Sequence, residues 1–378
     1  MPQRMPVDVD ALKALGRARG LDAVGVARAE VFASTREALE QRRAQGLNGS
    51  MGFTYRNPER ATDPRRLLRD AHTLVVGAIG YRRRAPLPPA GANGRVARYA
   101  WEDHYCTLRR ALGGIVDELR SHGWRATVVL DDNGLVDREA AYRAGLGWYG
   151  KNSNLLLPGK GSWFVLGSVV TDCDLPADAP VAEGCGSCHR CLDSCPTGAI
   201  VAPGVVDARR CLAWLVQAPG TFPPEHRSAL GDRVYGCDDC QEVCPPNRRQ
   251  EVAAAPPPGP AAEAWVPLLD LLAASDEELL DRHGRWYVHQ REPRWLRRNA
   301  LLALGNVGDA HDEAVLGCLT GYLGHPDPML RAHATWAARR LGRDDLVSAA
   351  GPDEHPDVVA ERVRPVRARR VVATAAGT

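Results

Sequence analysis

Eight of the eleven cysteines in this chain fall into one interlocked register: Cys185-x2-Cys188-x2-Cys191-x3-Cys195-Pro196, a lone Cys211, then Cys237-x2-Cys240-x3-Cys244-Pro245. Three cysteines two apart, with a fourth before proline, form the ligand run of chains that hold two [4Fe–4S] clusters. In such runs the cysteine before proline ligates the other cluster. The register therefore assigns Cys185, Cys188, Cys191 and Cys244 to one cluster, and Cys237, Cys240, Cys211 and Cys195 to the second. Close spacing lets one turn aim three thiolates at one cube, and proline ends that turn. Two clusters in one short segment make an electron relay.

Zinc and disulfides are the rival readings. Zinc closes on four ligands, usually two pairs or a pair with histidines, which leaves a three-plus-one register unexplained. Disulfides are not expected, because no secretory or twin-arginine pattern precedes an apolar run and no apolar stretch is long enough to span a bilayer. Reducing conditions suit exposed clusters, so a cytoplasmic location with no membrane partner is expected. Cys106, Cys173 and Cys318 lie outside the register and are expected to be small buried apolar residues.

At 378 residues the chain has length for two or three domains. Its net charge of +2 argues neither for nor against a nucleic-acid partner. Only Lys13, Lys151 and Lys160 are lysines among 48 basic residues. That bias looks like base-composition pressure, which weakens any arginine cluster as an RNA signal. It also draws attention to each retained lysine, whose compact ammonium arginine cannot replace at a tight site.

Three segments follow from pattern. Residues 1–177 mix the apolar runs Leu21 to Ala27, Thr73 to Ile79, Ala126 to Leu130 and Trp163 to Val170 with a helical pattern over Tyr105 to Leu119, and read as an α/β or α+β domain. Residues 178–252 are turn-rich and cysteine-ligated, so their stability should rest on the clusters. Ala253 to Pro260, with Pro256, Pro257, Pro258 and Pro260, reads as a stiff connector. In residues 261–378, Leu296-Arg297 through Ala300 and Ala303 recurs 34 positions on as Leu330-Arg331 through Ala334 and Ala337. The period suggests stacked helix pairs of the HEAT type, with an ordinary helical bundle as the alternative. Beyond about Val363 the tail, with Arg364, Arg367, Arg369 and Arg370, is expected to be mobile.

The stretch before the cysteines carries the remaining signals. Asp131 stands at the end of Val128-Val129-Leu130 and before a helix, where loop ends build sites in α/β folds. Six glycines between 145 and 167 imply a backbone closely approached by something, a large ligand being one candidate. The plainer reading is that they make turns, and that Asp131 or Asp132 caps the helix opening near Leu135.

The run Arg143-Ala144-Gly145-Leu146-Gly147-Trp148-Tyr149-Gly150-Lys151-Asn152, the Gly161-Ser162-Trp163 and Leu166-Gly167 motifs and the eight-cysteine register together resemble the epoxyqueuosine reductases. Met51-Gly52-Phe53 with Arg56, Tyr99-Ala100 and the HEAT-like tail extend the resemblance over almost the whole chain. The resemblance implies an α+β fold: a nitroreductase-like cobalamin-binding catalytic domain, a ferredoxin-like domain with two [4Fe–4S] clusters, and C-terminal α-helical HEAT-like repeats. It implies removal of the epoxide oxygen from epoxyqueuosine at the tRNA wobble position, the last step of queuosine synthesis. The implied partners are the tRNA anticodon stem-loop and an electron donor such as a flavodoxin or ferredoxin, acting on a monomer.

The family's general acid lies seventeen residues before the tryptophan of the Gly-Leu-Gly-Trp run, which is Asp131 here. Arg56, Lys151 and Asn152 fall at positions that the resemblance assigns to cobalamin contact, along with Asp131. Many members follow the acid with serine, a small residue, proline, an apolar pair and glutamate. This chain reads Asp132-Asn133-Gly134-Leu135-Val136-Asp137 instead, which makes Asp132 a rival acid. The stretch Tyr99 to Tyr105 also departs from a more basic family version. A small-molecule reductase of the same architecture, akin to the reductive dehalogenases, and a non-catalytic ferredoxin-type carrier are the competing functions.

Overall fold

The computed structural model describes residues 4–252 and 255–368. Arg369 and Arg370 of the tail, and Ala253 and Ala254 of the connector, lie outside the described residues. The chain divides into two compact units woven from alternating segments. One takes the chain up to Ala85, Arg98–Cys211 and Asp238–Ala262; the other takes Pro86–Ala97, Leu212–Cys237 and the chain from Glu263 onward.

The first unit is built on an antiparallel sheet. Its strands β1 (Ala23–Arg28), β2 (Thr73–Gly80), β3 (Ala126–Val129) and β4 (Phe164–Thr171) stand in the order β1-β2-β4-β3. These are the four apolar runs of the sequence. β2 is buried over all but its last residue, so both faces of the sheet are covered. Helices α1 (Val9–Ala18) and α2 (His104–Ser121) cover one face, packing Leu12, Leu108, Leu112 and Ile115 on Val26, Val75, Val165 and Val169. Helix α3 (Asp137–Arg143) helps to cover the other face, with Ala140 and Ala141 against Ala27, Leu74, Val76 and Val170. Each fully buried leucine or valine contributes about 1.5–3 kcal/mol.

Gly77 and Gly167 are direct partners in the two central strands. A β-carbon on Gly77 would lie 3.0 Å from Leu112 Cδ2, and one on Gly167 would lie 2.9 Å from Leu112 Cδ1. The glycine pair is the hollow that seats α2 on the sheet. Bringing α2 down here holds its neighbour β3, and with it the loop that leaves β3, in a fixed place.

In the second unit the strand Asn93–Val96 pairs in parallel with Arg233–Tyr235 and antiparallel with Trp265–Pro267. The recurring Leu-Ala-Ala pattern falls on α4 (Arg294–Val307) and α5 (Pro328–Arg340), which pack on one another. All six pattern residues are buried. Inside α4, Arg298 is fully buried and donates to the carbonyls of Leu215, Ala218 and Gly220, each at 2.8 Å. Burial, reinforced by the charge of Arg227, pulls its guanidinium down to about 9. The tail expected to be mobile is tied down as far as it is described: Arg339 donates to the Arg364 carbonyl at 2.7 Å, and Arg340 donates to that of Arg367. Among the described residues no helix is long and apolar enough to cross a membrane.

Candidate redox centre and active site

Asp131 sits just past the end of β3, in the left-handed region at φ 47°. The loop after it is fixed from both sides. Asp132 Oδ1 accepts the Gly134 N–H at 2.6 Å, and Asn133 Oδ1 accepts the Thr54 N–H at 3.0 Å. The second bond joins the Asp131 loop to the Met51–Arg56 turn, so the structure brings these two predicted regions together. Arg56 itself is exposed, with its guanidinium beside Gly52. Neither aspartate caps the following helix: the residue before α3 is Val136, which makes no side-chain cap.

Asp131 is open to solvent on one side, while the protein on its other side removes enough water to raise its carboxyl above the usual aspartate range. The charge of Asp132 adds to that shift. Asp137 lies deeper, and burial raises it well above that range, with the Asp131 charge as the next cause. Tyr105 of α2 is raised too, by burial and then by Asp131 and Asp137. An exposed carboxyl, a half-buried one and the Tyr105 phenol thus influence one another's charge here. A carboxyl raised in this direction is the kind that an acid catalyst needs.

The glycine-rich run behaves differently from the ligand-cradle expectation. A β-carbon on Gly147 would meet Leu156 O at 2.2 Å, on Gly145 Ala179 O at 2.5 Å, and on Gly150 Leu156 Cδ1 at 2.3 Å. Gly161, at φ 75°, would strike Asn247 Oδ1 at 2.0 Å. At these four positions the close approach is made by other parts of the chain. Lys151 and Asn152 point the same way. Lys151 Nζ donates to the Gly186 carbonyl at 2.6 Å, and buried Asn152 donates to the Cys240 carbonyl at 3.1 Å. Both side chains clasp the cysteine segment. Unmet polar atoms remain nearby: Trp148 Nε1 and Ser153 Oγ are buried with no hydrogen-bond partner.

Cys244 stands within electrostatic reach of the three cysteines that the spacing groups with it. Burial first, then the neighbouring thiols of Cys185, Cys191 and Cys188, push the Cys244 thiol up to about 11. Cys191 is raised by burial and then by Cys185 and Cys188. These are the four cysteines that the spacing assigns to one cluster. The short helix Arg190–Asp193 packs on the short helix Asp239–Glu242, which carries Cys191 toward the turn of Cys244. Cys195 Sγ accepts the Ala199 N–H at 3.2 Å, the kind of bond that tunes a cluster's potential. Cys211 donates its N–H to Asp207 O at 3.2 Å, and Cys237 follows the strand Arg233–Tyr235. Among the described residues no three His, Cys, Asp or Glu groups could hold one metal ion. Thiolates spread around a cube need not crowd as ligands of a single zinc do.

Two residues of this region were not singled out in the sequence. Gln241 Nε2 donates to Tyr81 Oη at 3.0 Å and to the Ser162 carbonyl at 3.1 Å. Asn247 Oδ1 accepts the Ser162 N–H at 2.7 Å, while its Nδ2 donates to Ser162 Oγ at 2.9 Å. Their only signal was position, each within three residues of a ligating cysteine. One expectation is corrected: Cys106 is exposed in the first turn of α2, whereas Cys173 is buried. Cavities of about 680 and 470 Å³ are lined by none of the predicted site residues.

A double iron–sulfur register fused to an α+β unit, with a raised carboxyl at a strand end, defines an iron–sulfur oxidoreductase. Residues 184–247 match the 4Fe-4S double cluster binding domain, a span that includes all eight cysteines. Over 340 residues, 87% of this chain, the sequence is 35% identical to the epoxyqueuosine reductase of Bacillus anthracis and covers 88% of it. A crystal structure of epoxyqueuosine reductase with a tRNA-Tyr epoxyqueuosine-modified stem loop superposes with a TM-score of 0.82 at 32% identity, covering 93% of this chain and 96% of that one. The epoxyqueuosine reductase of Streptococcus thermophilus gives 0.83 at 26% identity, over 94% and 98% of the two chains. The chain belongs to the epoxyqueuosine reductase family.

Proposed function

We propose that this chain reduces epoxyqueuosine to queuosine at the wobble position of tRNA. The observation that carries the reading is the place of Asp131 just past the end of β3, in a chain whose cysteines hold two [4Fe–4S] clusters. Opening an epoxide puts negative charge on oxygen, and an acid that donates a proton as the bond breaks contributes typically ~10²–10⁴-fold. Asp131 is the residue we assign to that task, with Asp132 fixing the loop through Gly134.

The reading includes cobalamin. Arg56, Asp131, Lys151 and Asn152 are the contacts implied by resemblance, and the unmet Trp148 Nε1 and Ser153 Oγ fit a ligand rich in amide carbonyls. Bound there, cobalamin would supply a reduced metal centre for cleaving the carbon–oxygen bond. Lys151 and Asn152 would serve it indirectly, by fixing the glycine-rich run to the cysteine segment. The division into a nitroreductase-like cobalamin domain at 1–177, a ferredoxin-like domain at 178–252 and HEAT-like repeats at 261–378 belongs to the same proposal. So do the tRNA anticodon stem-loop as partner, a flavodoxin or ferredoxin as electron donor, a monomeric state and a cytoplasmic location.

The test is anaerobic incubation of the reconstituted protein with epoxyqueuosine-containing tRNA and a reductant, followed by mass spectrometry of the wobble nucleoside. Loss of one oxygen is expected. An unchanged nucleoside, with clusters and cobalamin bound, would overturn the proposal.

A further inference from the structure

Of the chain's three lysines, the clasp on the cysteine segment uses Lys151 alone. The other two, Lys13 and Lys160, are far apart in sequence yet line one cavity of about 470 Å³ within the first unit. Lys13 lies on α1, with Arg17 one turn further along the same face, and Lys160 lies in the turn before β4. Each lysine is held by a single partner. Lys13 Nζ donates to Asp178 Oδ1 at 2.7 Å, and Lys160 Nζ donates to the Asp22 carbonyl at 2.8 Å. An ammonium carries three donors, so two on each lysine stay unused among the described residues. The Arg17 guanidinium is exposed and has no hydrogen bond or ion pair among the described residues. Asp178 is the one acid among the described residues that line the cavity, and its second oxygen already accepts the Val26 N–H at 2.8 Å. The lining therefore carries an excess of two positive charges. The remaining wall is apolar and includes Val24 and the buried Leu146 and Leu157.

We propose that this cavity binds a phosphate monoester carried on a ring of nucleoside size or smaller, with Lys13, Arg17 and Lys160 holding the phosphate and the apolar wall holding the ring. A phosphate monoester carries roughly 1.5–2 negative charges at neutral pH, which matches the excess of positive charge in the lining. The choice of lysine narrows the class further. Arginine's planar fork is the better match for a carboxylate, whereas a lysine ammonium meets a tetrahedral phosphate as a compact point charge. In a chain that uses arginine at nearly every other basic position, two lysines at one cavity favour phosphate over carboxylate. The volume lies in the range, roughly 300–1,000 Å³, of sites that enclose small molecules, and an apolar wall with a few placed polar groups is their usual composition. The site uses neither Asp131 nor the cysteines, so it stands or falls apart from the proposed reaction.

The experiment titrates phenyl phosphate into the anaerobic, cluster-loaded full chain by calorimetry. Saturable binding of about one molecule per chain is expected, as one cavity dictates. Arg17→Gln and Lys160→Gln should each weaken it about tenfold, the usual effect of losing one charge-assisted bond. Arg17 has no partner to lose, so Arg17→Gln should keep the melting temperature and iron content of wild type, which separates lost binding from lost folding. Phenol and inorganic phosphate each lack half of the ligand and should bind about tenfold more weakly than phenyl phosphate, or worse. Competition then identifies the source of the phosphate. Displacement at lower concentration by adenosine monophosphate marks a free nucleotide, and displacement at lower concentration by RNA with a 5′-phosphate marks a nucleic-acid end. Displacement by neither overturns the proposal. So does an absence of saturable binding up to about 10 mM phenyl phosphate, an affinity unchanged in both variants, or an equal affinity for inorganic phosphate.

Discussion

Asn247 Oδ1 accepts the N–H of Ser162 at 2.7 Å, at the spot where a β-carbon on Gly161 would lie 2.0 Å away. One amide side chain thus joins the turn before β4 to the residue three places past Cys244. The Gly161-Ser162-Trp163 motif is a socket for the cysteine segment. Gly161→Ala should therefore displace Asn247 and strain the left-handed φ, with an expected cost of about 1–3 kcal/mol. Reconstituted Gly161→Ala should hold less iron per chain than wild type while the far-ultraviolet signal changes little. Full iron content with unchanged thermal stability would contradict the socket.

The spacing assigns Cys244 to the cluster of Cys185, Cys188 and Cys191, so its loss should be costly for the whole segment. In Cys244→Ala the first cluster lacks its fourth thiolate and the packing of Arg190–Asp193 on Asp239–Glu242 loses its link. Iron and sulfide analysis should fall from eight atoms each toward four or fewer, counts that follow from two four-iron clusters. Cys173→Ala, outside the register, should leave the iron content unchanged.

Asp137 also sets a pH dependence of stability. Its carboxyl is raised well above the usual range in the folded chain, so the folded state binds its proton more tightly than the unfolded state. The favourable contribution is complete below the unfolded aspartate value, about 3.9, and is lost as pH rises through the folded value. Asp137→Asn cannot ionise. Its melting temperature should match wild type near pH 4, about the unfolded value, and exceed it increasingly toward higher pH. A gap that stays constant across that range would mean that Asp137 is not shifted.

Arg298 offers a test confined to the second unit. Truncation to alanine strands the carbonyls of Leu215, Ala218 and Gly220. The expected cost is about 3–5 kcal/mol, as for breaking other buried charge networks. Arg298→Lys should recover only part of it, since one ammonium cannot reproduce a planar fork reaching three carbonyls. Denaturant unfolding followed by Trp295 or Trp336 fluorescence would measure both.

Much of this was legible in the sequence because period and spacing act locally. Four apolar runs became the four strands of the sheet, and Tyr105 to Leu119 became α2. The cysteine register announced a double cluster, because ligand spacing is set by the cluster and not by distant packing. The role of the glycine-rich run was not legible. Glycine signals a close approach without saying what approaches, and here the neighbours are Leu156, Ala179 and Asn247 from elsewhere in the chain. Lys151 drew notice as a rare residue, yet its partner, the Gly186 carbonyl, comes from long-range folding. The exposure of Cys106 follows from its place on α2's outer face, which a lone cysteine does not announce.

The most direct test of the account is a single-turnover measurement on an epoxyqueuosine-modified stem-loop, counting oxygen lost by mass spectrometry against electrons delivered. Wild type should lose one oxygen for every two electrons. Asp131→Asn should lose almost none while it keeps its clusters and its affinity for the stem-loop, and Asp132→Asn should stay active. Full turnover by Asp131→Asn, or loss confined to Asp132→Asn, would contradict the account.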